Sequence, residues 1–525
     1  MITQASFSDT FPVFTLFVAF GTCTLFLSLA AVGRDTLSNF YLGHRRLSWV
    51  GNGLAVFGIY MSAAGMLSNP GLVSLRGYDG ILYVLASSAA WIVLLVVITD
   101  AYHGSARFTV GDSLARRLSP RPTHMAAGVV ALLISLVYLI AQLVGAGALA
   151  APILGLDGAA AQRGLVACLG ALMILSAVGG GMRAATAVQC VKAVLLLAGG
   201  AVLALAVLSR FGWNPAALLS AAADHSALGD DFLRPGAHAD EGASALDALG
   251  MELTRVLGSA GLPHVLMRIG TVATAREARR SIQFGSLLVI CFFTAAVVIG
   301  LGAAGLLGTE AIASDSPSGK TAVLLLADSL GGSLALTAVS CLAFITIMAV
   351  VTGLILTAAA SLAHDIYGAT IRRGKASERE ELAVARGAVL LIGAGAITLP
   401  MFAQDLNLSF LVELAFAIAA SAVLPTILYN LWWRGFTTRG ATWSLYGGLL
   451  TVLLLMTLSH AVSGHPAAML PDADFAIFPM RSPGLVCIPV GFALGWLGSV
   501  LDTRRRSAEA AGRHSEGPAA PASTA

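Results

Sequence analysis

The chain is 525 residues long, 57% hydrophobic and only 11% charged, with a formal net charge of +3. A soluble domain carries roughly 25% charged residues, so this composition excludes a water-soluble enzyme or binding module and points to a polytopic membrane protein. No basic patch with interleaved aromatics accompanies the small net charge, which argues against nucleic acid as a partner, and the six cysteines fall singly in different apolar stretches, as small buried hydrophobes rather than metal ligands.

The N-terminal MITQASFSDTFPVFTLFVAFG has no basic residue before its apolar run, so 11–33 is expected to be a retained first helix and not a cleaved signal. At the roughly 20 residues that a crossing needs, hydropathy gives about 13 spans. They run over 11–33, 50–74, 81–101, 126–150, 164–180, 184–208, 248–268, 281–308, 333–363, 385–404, 410–430, 441–460 and 484–501. An odd count puts the termini on opposite sides. Alternate loops gather 23 of the 31 Lys and Arg, 7 lie on the other side, and Lys192 is inside a span. The positive-inside rule then places the N-terminus outside and the C-terminus in the cytoplasm.

The second span is unlike a plain anchor. Its AVFGIYMSAAGMLSNPG, 55–71, crowds Gly58, Ser62, Ala63, Ala64 and Gly65 beside Tyr60 and Asn69, and Pro70 removes a backbone donor. Lipid supplies no hydrogen bonds to a loosened backbone, so a helix that opens here must face protein, water or a solute. Close packing of two helices through small residues is the alternative. The span 248–268, ALGMELTRVLGSAGLPHVLMR, is interrupted by Gly258, Ser259, Gly261 and Pro263, lies five spans later and crosses in the opposite direction. Two short Gly/Pro-interrupted spans in corresponding positions of two halves point to an inverted-repeat transporter with its site near the midplane.

Within these spans, unwinding would free the carbonyls of Gly58 and Met61, which suit a hard cation, while Tyr60 and Ser62 offer hydroxyls. Tyr138 and Gln142, at i and i+4, share one helix face that looks into a cavity or glues two helices. Lys192 lies about nine residues beyond Arg183, hence roughly 13 Å deeper, and either carries a transported proton or snorkels to the cytoplasmic interface. Glu252 and Arg255, three apart, are expected to pair near the outer rim, with Arg255 drawing a carboxylate inward as the alternative. His264, and His364 beside Asp365, are weak signals alone. The polar loop 209–247 is expected to be a lid or solvated connector, and 504–525, ending GPAAPASTA, to be disordered. No Ser/His/Asp constellation, metal-ligand cluster or phosphate loop occurs, so no enzymatic activity and no bound cofactor are expected.

The segments GIYMSAAGM (58–66), SLVYLIAQLVGAG (135–147), GGMRAATAVQCVKAVLLL (180–197), AGLPHVLMR (260–268), SLAHDIYG (361–368) and LAFAIAAS (414–421) resemble the solute:sodium symporter family, and within it the bacterial cation/acetate symporters. The resemblance runs from about 41 to 501 in unbroken order. It implies an all-α, LeuT-like fold of two inverted five-helix repeats, 50–208 and 248–430. Around them come a peripheral N-terminal segment, 1–49, the extracellular loop 209–247, two C-terminal peripheral helices within 431–503, and the tail 504–525. It implies uptake of acetate or a related short monocarboxylate across a bacterial inner membrane, driven by a sodium or proton gradient, with the solute near Tyr60, Ser62, Tyr138, Gln142 and Gly258. In sodium-coupled relatives the cation site matches the carbonyls of Gly58 and Met61 and a hydroxyl pair that falls here on Ala349 and Val350. Thr346, one turn earlier, keeps a hydroxyl, and Ile59 stands where acetate symporters carry an acid. Such a thin oxygen shell favours protons at least as much as sodium and raises the interest of Lys192. The alternatives are symport of another small solute, such as proline or a larger carboxylate, and a membrane sensor module; the sequence does not fix the oligomeric state.

The charge asymmetry predicts that a reporter active only in the cytoplasm will work when fused after Ala525, and that a cysteine introduced into 209–247 will be labelled from outside by a membrane-impermeant thiol reagent. The reverse pattern would overturn the assigned orientation.

Overall fold

The computed structural model describes residues 22, 36–42, 47–62, 64–105, 108–153, 159–236, 245–402, 408–464, 468–470 and 472–515. The expected first span, 11–33, lies outside them apart from Thr22. Among the described residues the regular structure is helical, joined by turns and loops, with isolated bridges pairing Ser459 with Phe478 and Ser463 with Leu470. Among them, nine helical runs are long and apolar enough to cross a membrane. This is fewer than the sequence count partly because neighbouring spans are joined at glycine corners. Gly77 (φ 52°, ψ −120°) turns the chain inside Asn69–Val93, and Gly181 (φ 53°, ψ −151°) does so inside Ala159–Arg210. Both conformations are open only to glycine at little strain.

The helix Ala322–Ala360 is the centre of the molecule. Its most apolar stretch is completely buried, against Pro120–Ile153 and Ala159–Arg210. Leu334, Val96 and Leu391 are 81%, 72% and 70% exposed, as side chains facing lipid would be. Ala275–Leu307 packs on Trp49–Tyr60 and Asn69–Val93, and the C-terminal helices Thr438–Thr457 and Gly484–Ser515 pack on each other.

Both expected interruptions are present. The first crossing begins as Trp49–Tyr60, turns extended at Met61 (φ −68°, ψ 102°), and resumes as the π-helix Ala64–Ser68 leading into Asn69–Val93. Ser62 starts the second half: its carbonyl accepts from Met66 N at 3.1 Å and its hydroxyl from Gly65 N at 3.3 Å. The second crossing runs as Ala245–Gly261, turns extended at Leu262 (φ −64°, ψ 121°), and continues as Pro263–Ile269. Proline at the first helical position has no N–H to leave unsatisfied, so Pro263 starts the lower half without an orphaned donor.

Two peripheral regions differ from expectation. The 209–247 loop carries the helix Pro215–Asp224 and the 3₁₀ turn Gly229–Leu233, and it is docked by Phe232, fully buried against Gly77. A single anchoring aromatic is easily lost in a polar composition. The last helix runs on to Ser515, into the stretch expected to be disordered; its alanines and charged residues are good helix formers.

At the end of the central helix the chain winds into the π-helix Ser361–Ile371, and a buried polar cluster forms. His364 donates through Nδ1 to Glu381 Oε1 (2.6 Å) and through Nε2 to Asp112 Oδ1 (3.0 Å), while Asp365 Oδ1 accepts from His124 Nδ1 (2.7 Å) and Thr109 Oγ1 (2.7 Å). An imidazole that donates from both nitrogens is the charged form, so His364 is a cation between two acids. Burial would raise the Asp112 carboxyl, but the hydrogen bond and charge of His364, with Phe108 N and His124, hold it below its ordinary value of 3.8. Two of these residues, His364 and Asp365, are the weak sequence signals; the cluster itself is made across the fold.

Gly77→Ala is predicted to destabilise the protein by about 2 kcal/mol or more, because its Cβ would lie 2.0 Å from the Phe232 carbonyl oxygen; an unchanged melting temperature in detergent would contradict this. A depressed carboxyl stabilises the fold above its unfolded value and loses that effect as pH falls through its folded value. Asp112→Asn should therefore lower the neutral-pH melting temperature and flatten its fall below pH 3.8; a variant with the wild-type acid limb would refute the assignment.

Candidate functional site

A cavity of about 150 Å³ lies between the two broken crossings. Tyr60, Met61 and Ser62 enter it from the first break, Tyr138 from Pro120–Ile153, Arg255 from the second broken crossing, and Glu413 from Leu408–Ile418. Its volume is well below the roughly 300–1,000 Å³ of drug-sized sites, so it suits a solute of a few heavy atoms. The Tyr60 ring meets Trp91 edge to face at 4.8 Å, and its hydroxyl lies 3.4 Å from Ser259 Oγ, so one contact spans both interruptions. The Tyr138 ring lies tilted beside His264, centroids 5.7 Å apart, and neither ring nitrogen of that buried histidine has a hydrogen-bond partner among the described residues.

The expected solute residues are thus distributed unevenly. Tyr60, Ser62 and Tyr138 line the cavity. Gln142 is buried off its lining, with Oε1 unpartnered among the described residues. Gly258 is a packing position: a Cβ there would lie 2.4 Å from the Phe416 carbonyl oxygen. Such an approach lets the second broken crossing lie directly against the backbone of Leu408–Ile418.

The expected cation position holds a side chain. Lys192, fully buried on Ala159–Arg210, donates from Nζ to the Gly58 carbonyl at 2.6 Å and, more closely still, to the Met61 carbonyl. The side chain does not snorkel to an interface; its amine answers the carbonyls that the first break sets free. The C-terminal end of a half-helix favours a cation for the same reason. Gly58 makes the approach possible, since a Cβ there would lie 2.5 Å from the Gln189 carbonyl oxygen of the lysine's own helix. On the central helix, Thr346 Oγ1 is turned back to Leu342 O at 2.7 Å, the Ala349 carbonyl accepts from Gln189 Nε2 at 3.4 Å, and Val350 is buried and apolar.

A second buried cation, Arg268, was not singled out in the sequence. It is 0% exposed, donating from Nη1 to Thr186 Oγ1 at 2.6 Å and from Nη2 to Gln189 Oε1. Asn52 Nδ2 donates to the Arg268 carbonyl at 3.2 Å, which ties the lower halves of both broken crossings together. Only its position one turn beyond Pro263 hinted that Arg268 lies inside. Arg255 and Glu252 do pair, at 2.9 Å, but the arginine side chain is only 8% exposed.

The family model described as "Sodium:solute symporter family" matches residues 40–448. A protein named "Monocarboxylic acid transporter" from Corynebacterium glutamicum is 41% identical over 500 residues, covering 93% of this chain and 91% of its own. "Uncharacterized symporter YwcA" from Bacillus subtilis is 40% identical over 491 residues, covering 93% and 94%. Among solved structures, a substrate-bound, outward-open Na⁺-coupled sialic acid symporter superposes with a TM-score of 0.71 at 12% identity, over 93% of this chain and 97% of that one. The nucleobase-cation-symport-1 transporter Mhp1, in a closed conformation with bromovinylhydantoin, gives 0.52 at 12% identity, over 89% and 94%. At such identities the structures speak for the fold alone, which is that of LeuT-like symporters. The chain belongs to the sodium:solute symporter family, as a multi-pass membrane transporter and not an enzyme.

Proposed function

We propose that the protein imports acetate-like short monocarboxylates together with protons, and that Lys192 holds the coupling proton. The observation that carries the proposal is the pair of hydrogen bonds from Lys192 Nζ to the Gly58 and Met61 carbonyls. Met61 also lines the cavity, so the lysine charge acts at the wall of the solute site. Charged, the amine attracts an anion into a low-dielectric space where Coulomb forces are strong. Neutral, it still has two N–H donors, so both carbonyls remain satisfied while the attraction is lost. By linkage, a proton that tightens anion binding is itself bound more tightly by the anion. Rocking one helix bundle against the other around the fixed cavity then carries both inward. The small cavity and the monocarboxylic acid transporter from Corynebacterium support the solute class, and the positive-inside asymmetry supports a bacterial inner membrane with the N-terminus outside.

Sodium coupling, to acetate or to a different small solute, is the second reading, favoured by the family description and the sialic acid symporter. It requires Lys192 to leave the two carbonyls or the ion to bind elsewhere, for Ala349 and Val350 bring no hydroxyl.

Uptake of labelled acetate into proteoliposomes is expected to follow an imposed inward proton gradient and to ignore a sodium gradient. Propionate and pyruvate should compete and proline should not. Lys192→Ala should abolish accumulation above equilibrium. Uptake driven by sodium alone, with the alanine variant unimpaired, would overturn the coupling proposal.

A further inference from the structure

Resting on the reading of the cargo as a carboxylate, we propose that Arg255 is the residue that receives it, and so sets selectivity for anions over neutral analogues. Arg255 is the one cationic side chain among the described residues lining the cavity. Its guanidinium is fixed in plane: the central carbon lies 3.3 Å from the centroid of the Tyr83 ring, and Nη1 donates to Glu252 Oε1 at 2.9 Å. One face is therefore covered and one edge occupied. The remaining edge, Nε and Nη2, makes no hydrogen bond to any described residue while the side chain borders the cavity.

That free edge is two parallel N–H donors, which match the two oxygens of a carboxylate. An amide of the same shape offers one acceptor and no charge. The neighbouring acids do not take the edge. Glu252, 28% exposed, is held on Nη1, and Glu413, on the helix packed against that of Arg255, accepts from Ser482 Oγ at 2.8 Å. Glu252 is nevertheless a competitor, since it neutralises part of the charge that the incoming anion seeks. Arg255 belongs to the half of the second broken crossing that precedes the break at Leu262, and Tyr60, in the same lining, reaches Ser259 beside that break. A carboxylate on the free edge would thus share one cavity with Tyr60 of the first break and with Tyr138 and Phe416.

The test is uptake kinetics in proteoliposomes for the wild type, Arg255→Gln, Arg255→Lys and Glu252→Gln, with propionate and propionamide as competitors of labelled acetate. Loss of a charged hydrogen-bonding partner is expected to raise the acetate KM of Arg255→Gln roughly 10- to 100-fold, with turnover changed far less. The preference for propionate over propionamide should collapse, and Arg255→Lys should recover part of both. Glu252→Gln, by unmasking the guanidinium, should lower the KM, a gain that poor folding cannot mimic. KM and selectivity kept within about twofold in both arginine variants, or a Glu252→Gln variant with unchanged or raised KM, would overturn the inference. A wild type that neither transports acetate nor is inhibited by propionate would instead overturn the cargo assignment, a result separable from any behaviour of the variants.

Discussion

A helix that breaks within a membrane leaves carbonyl oxygens without donors, and in hydrocarbon each such group costs several kcal/mol. In this protein the Lys192 ammonium, carried on a neighbouring helix, meets the carbonyls of Gly58 and Met61. Everything around the first interruption is arranged to permit that contact. Gly58 brings two backbones together, Ser62 restarts the helix on the far side, and Gln189, one turn before the lysine, braces both the central helix and Arg268. The lysine gains as much as the backbone does. A buried charge is tolerated only when it is bonded and compensated, and when the amine is charged the converging carbonyl dipoles supply that without a carboxylate.

The same contact gives the two halves of the molecule one point of exchange. Met61 is at once an acceptor for the lysine and part of the cavity wall, and Tyr60 beside it reaches Ser259 in the other interrupted crossing. The coupling proposed for Lys192 would act through these contacts, which link Ala159–Arg210 to the cavity wall and to the place where the two crossings touch. Arg268, bonded to Thr186 and Gln189 on that helix and to Asn52 through its carbonyl, extends the connection toward the opposite end.

Much of the architecture was legible in the sequence because lipid is a strict solvent. Spans announce themselves by length and hydropathy, and the two interruptions by Gly58, Ser62, Gly261 and Pro263, residues that loosen or restart a helix for stated steric reasons. Lys192 was legible as an anomaly, but its partners were not, since Gly58 and Met61 are 134 and 131 residues away and only the fold brings them together. The depth of Arg255 and Arg268 was not legible for a related reason: counting charges near span ends assigns a side, not a depth. Gly258 shows the limit of composition, because a glycine in a broken helix can serve either a ligand or a close backbone neighbour, and here Phe416 is that neighbour.

The buried polar cluster joins three helix ends that are far apart in sequence: the start of Pro120–Ile153 through His124, the close of the central helix through His364 and Asp365, and the start of Glu378–Phe402 through Glu381. Asp112 and Thr109 fasten the short segment before Pro120 to the same knot. Those ends are tied together, and pulling them apart would strand a buried imidazolium without its acids. The rocking movement proposed above would therefore have to leave this knot intact.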